Sequence, residues 1–194
     1  MKKNQEKTII MSLTLHIIME KYKATNYRNP LNLEELPVSL KQVNLTNDDI
    51  LSFFDLAAKV IYEHNHAKIA EKNPSLTSLD YEKFKQTEEF NRFLMESYGT
   101  IIIDLLSNYM FQAYSAFRYV ERGDMESLKS IKENESSVAC EKVKHVATDL
   151  LESRINENQS RAEFAKIYYA SHFASKYLLE RRDELLPQFL KQYP

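Results

Sequence analysis

An all-α fold is what this sequence predicts: a single-domain antiparallel bundle of five to six helices, several of them long, over residues 1–194. Three observations carry the expectation. Glycine is nearly absent, with only Gly99 and Gly123 in 194 residues, whereas tight β-hairpins draw on glycine where the backbone needs positive φ. Apolar residues recur at helical spacing over long stretches such as 46–72 and 101–120. Helix starts are spelled out, as in "TNDD" at 46–49, where Thr46 caps and Asp49 closes a capping box. Hydrophobic residues make up 43% and charged residues 28%, a globular balance and not a disordered one.

The elements follow in order. Residues 6–23, "EKTIIMSLTLHIIMEKYK", predict a helix that is apolar around most of its circumference. Residues 24–45 hold Pro30 and Pro37 and predict an irregular connection. A helix runs from Thr46 to about Lys72, where "NPSLTS" breaks it. The next helical stretch covers Asp80 to Arg122, interrupted near Gly99, and "RGD" at 122–124 makes a turn. A segment over 125–157 follows, broken at "KENESS". Ser160 and Glu163 form a second capping box, and the last helix ends near Leu186 because Pro187 stops it.

The same scarcity of glycine excludes phosphate-cradling loops, dinucleotide-binding turns and nucleophile elbows, all of which need it. The net charge of −2 argues against a molecule that binds nucleic acid over its whole surface. One cysteine, Cys140, has no partner for an internal disulfide, which fits a reducing, cytoplasmic setting. The apolar run "TIIMSLTLHIIM" is too short to span a bilayer and has no small-residue cleavage site, so neither membrane anchoring nor secretion is expected.

"YEHNH" at 62–66 holds the one spacing with metal chemistry in it. Glu63 and His66 stand three apart, as in carboxylate-bridged sites on bundle helices. Counting faces at 100° per residue, Ile50, Phe53, Phe54, Ala57, Ile61 and His64 share the core side, and Glu63 and His66 fall opposite it. A bundle site needs its ligands pointing inward together, so Glu63 and His66 are rejected as ligands and His64 is expected in the core. Glu141 and His145 likewise face away from the apolar side of their helix. His172 faces inward with no acid three or four residues before it. Cys140 and His145 stand five apart and diverge around one helix, so no thiol nucleophile is assigned. Neither a catalytic residue nor a cofactor is expected. Tyr98, Tyr109, Tyr114, Tyr168 and Tyr169 sit among Ile, Leu, Met and Ala and are expected in the core.

"IIMSLTLHIIMEKYKAT", "LPVSLKQV" and "NDDILSFF" together resemble, loosely, the DNA-binding half of tetracycline-repressor-type regulators. The resemblance implies a helix-turn-helix near the start and a ligand pocket in the remaining helices. The first 28 residues carry six Lys or Arg against two Glu, a local charge of +4. The chain departs from that pattern at Pro37, where the turn glycine belongs, and at Pro30, within the first motif helix. Residues 29–58 sum to −4, which disfavours contact with phosphates.

The last helix carries two apolar sides, one with Ala165, Tyr168, Tyr169, His172 and Leu179, the other with Phe164, Ile167, Leu178 and Leu185. Residues 101–120 are the better candidate for the central helix. The second side of the last helix is then expected to meet a partner, which makes Phe164, Ile167, Leu178 and Leu185 the candidate interface. The function expected is that of a non-enzymatic adaptor, inhibitor, or assembly or scaffolding factor. It would act through a protein partner, a homo-oligomer, or both. The alternatives are the DNA-binding regulator and a metal- or cofactor-binding bundle enzyme. Lys-, Asn-, Ile- and Tyr-rich wording points, by association alone, to an AT-rich bacterial or phage genome.

Overall fold

A computed structural model describes residues 43–72, 74, 80–133 and 141–192. Among them are seven helices and no strand: α1 (Asn47–Lys72), α2 (Tyr81–Phe84), α3 (Glu88–Met95), α4 (Ser97–Arg122), α5 (Met125–Glu133), α6 (Glu141–Leu151) and α7 (Glu157–Gln192). The count exceeds the expected five to six because the stretch before Arg122 divides into three. The helix expected over 6–23 lies outside the described residues, as does most of the 24–45 connection. Residues 43–46, at its end, are not helical.

α1 begins as its sequence dictates. The Asp49 N–H donates to Thr46 Oγ1 at 3.2 Å, and the Thr46 N–H donates to Asp49 Oδ2 at 2.8 Å. This is the reciprocal capping box. The Thr46 backbone bond is the main cause that holds the Asp49 carboxyl below its usual range, with the Thr46 hydroxyl and Lys166, 3.1 Å away, adding to it against some burial. A depressed folded-state pKa stabilises the fold above the unfolded value of about 3.9, and the contribution is lost as pH falls through the folded value. Asp49→Ala is expected to cost about 1 kcal/mol at neutral pH. The urea-midpoint difference from the parent should close by about pH 2; a difference that persists there would show that the carboxylate is not its source.

α4 and α7 form the axis of the bundle. They run antiparallel, since Tyr114 meets Tyr168 while Arg182 reaches Met95, just before α4. α1 is also antiparallel to α4, because Phe53 meets Tyr109 and Lys72 meets Glu96. It therefore runs in the same sense as α7, as two helices that each lie antiparallel to a third must. Of the two axial helices α7, and not the 101–120 helix, is the more completely enclosed. From Phe164 to Ser175 only His172, Phe173 and Lys166 keep even partial exposure. Small residues make this burial feasible: Ala165, Ala170, Ser171, Ala174 and Ser175 let neighbours approach on every side. The two buried serines are satisfied within the helix, Ser171 Oγ donating to the Ile167 carbonyl at 2.8 Å and Ser175 Oγ to the Ser171 carbonyl at 3.1 Å.

α7 also differs from expectation at both ends. It starts at Glu157, where Asn156 and Gln159 exchange backbone-to-side-chain bonds of 2.9 Å in each direction. Ser160 lies one turn inside and is buried. At the other end the helix continues through Pro187 to Gln192. Proline removes one donor from the ladder and crowds the preceding turn. The helix holds past it because Leu185, with Leu186 and Phe189, packs against Met95 and keeps the last turns docked.

The α3–α4 junction explains the break expected near Gly99. It falls at Glu96, whose ψ of −172° takes the chain out of the helix for one residue. Gly99 lies inside the first turn of α4. A Cβ built there would stand 2.0 Å from the Leu94 carbonyl oxygen, so only glycine lets the end of α3 rest against α4. The Gly123 turn behaves as expected, with φ at 69°, and Asp124 then caps α5 through the Ser127 N–H at 3.0 Å.

Candidate functional site: a groove between the first, third and last described helices

The second half of α1 packs on an aromatic cluster. Tyr62 stacks on Phe84 at 4.3 Å, Phe84 meets Phe93 edge-on at 5.4 Å, and Phe93 stacks on Tyr98 at 5.2 Å. Beside it, the Tyr81 hydroxyl donates to Asp55 Oδ1 at 3.1 Å and Lys85 Nζ pairs with Asp55 Oδ2 at 2.9 Å. Burial, then the Asp55 charge, push the Tyr81 phenol far above its ordinary value. The Asp55 bond, then Glu82, raise the Lys85 ammonium. This network ties α2 to α1.

Between that corner and α7 opens a groove of about 380 Å³. Its floor is Phe54, Phe90 and Leu94, with Tyr177 along one side. Tyr177 is 36% exposed and meets Phe54 edge-on at 5.1 Å. The rim includes Lys85, Glu88 and Arg181. Lys85 is engaged by Asp55 and Glu82, and Arg181 pairs with Glu184 at 3.2 Å, so both rim cations are already engaged. The volume lies within the range of sites that accept a bulky side chain or small organic group. Neighbouring clefts of about 130 Å³, beside Met95 and Leu185, and about 70 Å³, beside Tyr98, fall below it.

The sequence-predicted candidates lie elsewhere. Phe164, Ile167, Leu178 and Leu185 are 0–5% exposed, all within the bundle. The surface offered to a partner is filled by the chain itself, because α7 is central and needs both its apolar sides. His64, expected in the core, is exposed. The buried side of α1 instead steps through Ala58, Ile61 and Tyr62 to Ile69 and Ala70, turned toward the aromatic cluster. His66 is half-buried and packs edge-on against Tyr62 at 5.2 Å, while Glu63 faces solvent 3.8 Å from Lys59. The two therefore point apart. No group of three or more His, Cys, Asp or Glu among the described residues is placed to hold a metal.

His145 is exposed and lies 3.4 Å from Asp149, and Glu141 lies 3.7 Å from Lys144, both outward as expected. Cys140 lies outside the described residues. His172 is partly buried, and burial first, then Lys176, keep its imidazole below the usual pKa. Tyr98, Tyr109, Tyr168 and Tyr169 are buried as expected, and Tyr114 half-buried. Among the described residues, no helix is long and apolar enough to cross a membrane. Of the stretches that carry the regulator resemblance, only "NDDILSFF" is described, and it opens α1. No protein-family model, curated protein or solved structure matches the chain.

Sequence reasoning missed the groove because its walls come from positions 54, 85–94 and 177–181, which only the fold assembles. Tyr177 left one signal: a large aromatic belonging to neither apolar stripe of its helix.

Proposed function

We propose that this protein works through protein–protein contacts, as an adaptor, inhibitor or assembly factor in a reducing, cytoplasmic setting. One observation carries the reading: the groove with an apolar floor and Tyr177 and Arg181 at its edge. Tyr and Arg are enriched among the residues that anchor interfaces, and here both border an open groove of mixed lining, aromatic at its floor and polar over more of its surface. Because both rim cations are already engaged, shape and contact with the aromatic floor select the partner more than positive charge does. The occupant proposed is an apolar or aromatic side chain presented by a partner protein.

The test is a mild affinity purification with the parent chain and with a Tyr177→Ala, Arg181→Ala double variant. Tyr177 packs on Phe54, so the unfolding midpoints of both chains are measured first and retention is compared at a temperature where both are folded. A stoichiometric protein retained by the parent and released at least about tenfold more readily by the variant is expected. Equal retention by both would remove the groove from the interaction. Retention of duplex DNA alone, lost at raised salt, would promote the regulator reading instead.

A further inference from the structure

The groove continues toward the start of α1. Phe54 forms part of its floor, and Lys85 on its rim is held by Asp55. At 100° per residue Leu51 points between Phe54 and Asp55, about 60° from one and about 40° from the other, and one turn nearer the helix start. Leu51 is 42% exposed. Leu51, Phe54 and Tyr177 therefore line one apolar track. Asp48 stands beside Leu51 on α1 and Glu88 on the groove rim, both exposed and neither in an ion pair among the described residues.

The described chain begins at the Leu51 end of this track. Val43 is 4% exposed in the core, and Leu45 packs against the same cluster. Residues 1–42 lie outside the described residues, and their sequence complements the track. Of the twelve residues in "TIIMSLTLHIIM", at 8–19, eight are large and apolar, and each such side chain left in water forgoes about 1.5–3 kcal/mol. Residues 1–28 sum to +4, opposite in sign to Asp48 and Glu88. Reach is satisfied as well. Val43 and Phe54 are at most about 25 Å apart, four extended residues and then a helical rise of about 10 Å. The nineteen residues 24–42 have a root-mean-square length of about 24 Å as a flexible chain. A tether whose length matches its span holds the two sites at their highest effective concentration, about millimolar. We infer that residues 8–19 occupy the Leu51–Phe54–Tyr177 track of their own chain when no partner is bound. The regulatory consequence rests on the groove being the partner's site, as proposed above. The partner must displace the segment, so its apparent affinity falls by the fraction of chains in which the groove is open.

The chain has no tryptophan, so Tyr177→Trp places a single reporter in the groove of the full-length protein. Leu13→Asp and Ile17→Asp, each added to the reporter chain, should move its emission to longer wavelength and open it to acrylamide while circular dichroism stays unchanged. The emission should not depend on protein concentration, because segment and track belong to one chain. Where an aspartate variant fails to fold, a nitroxide on Gln86→Cys, in a Cys140→Ser background, decides: the amide resonances of residues 8–19 should broaden as strongly as those of 51–54. A reporter indifferent to both aspartates, or sharp resonances over 8–19, would overturn the inference and leave the partner reading to the Tyr177→Ala, Arg181→Ala comparison. Emission that reddens on dilution would also overturn it, by giving the track to the segment of a second copy. With Tyr177 native, the Ile17→Asp chain should retain the partner at least about tenfold more tightly, as for a groove open in about a tenth of parent chains. A reporter that shifts as expected beside unchanged partner retention would uphold the occupancy and remove the groove from the partner's site.

Discussion

Gly99→Ala lowers the unfolding free energy by about 3 kcal/mol, the upper end of the overpacking range. The reason is local and rigid. The added methyl would sit 2.0 Å from the Leu94 carbonyl oxygen and 3.0 Å from its carbon, and both are backbone. A side chain could swing aside, but these atoms belong to the last turn of α3, held in place by Phe93, Leu94 and Met95 in the core. Relief requires α3 to back away from α4, which also disturbs the Arg182 Nη2 bond to the Met95 carbonyl at 3.3 Å. Gly123→Ala is the informative companion. Nothing lies within 4 Å of its added Cβ, so its cost is only that of the left-handed backbone at φ 69°, about 1 kcal/mol. Urea unfolding followed by circular dichroism measures both. Equal small losses at the two positions would mean that α3 and α4 do not meet as described.

The second large effect separates a core from an interface. Phe164→Ala is expected to cost about 3–5 kcal/mol and Leu178→Ala about 2–5 kcal/mol, because both side chains are 0% exposed along the central helix. The loss combines the transfer free energy of the removed atoms with the cavity left in a helix surrounded on all sides. A partner face would answer differently, with folding stability nearly unchanged and association lost. Unfolding midpoints and sedimentation measured on the same two variants distinguish these outcomes. Folding stability within about 0.5 kcal/mol of the parent would return these residues to the surface.

The histidine motif shows how far face-counting reaches. The 46–72 stretch was legible as a helix, cap included, because the Thr46–Asp49 box is a matter of four consecutive residues. Which side of it faces inward was legible through Phe53, Phe54, Ala57 and Ile61 and failed at His64. Beyond Ala58 the buried side follows Tyr62 toward Phe84 and Phe93, partners some twenty to thirty positions away, and His64 and His66 exchange expected environments. Pro187 makes the same point from the opposite direction. Its local preference is to stop a helix, and contacts of Leu185 with Met95, ninety positions earlier, override it.

By itself the sequence determined the helical class, the capped start of α1, the Gly123 turn and the buried tyrosines. Each depends on short-range backbone chemistry or on a periodicity that one helix displays alone. The tertiary structure decided which helix is central, where the second apolar side of α7 goes, and the existence of the Phe54–Tyr177 groove. An amphipathic pattern records how much surface a helix must bury, not what buries it; that depends on which distant faces have the small residues that let backbones come close. Ala165, Ala170 and Ala174 gave α7 that place.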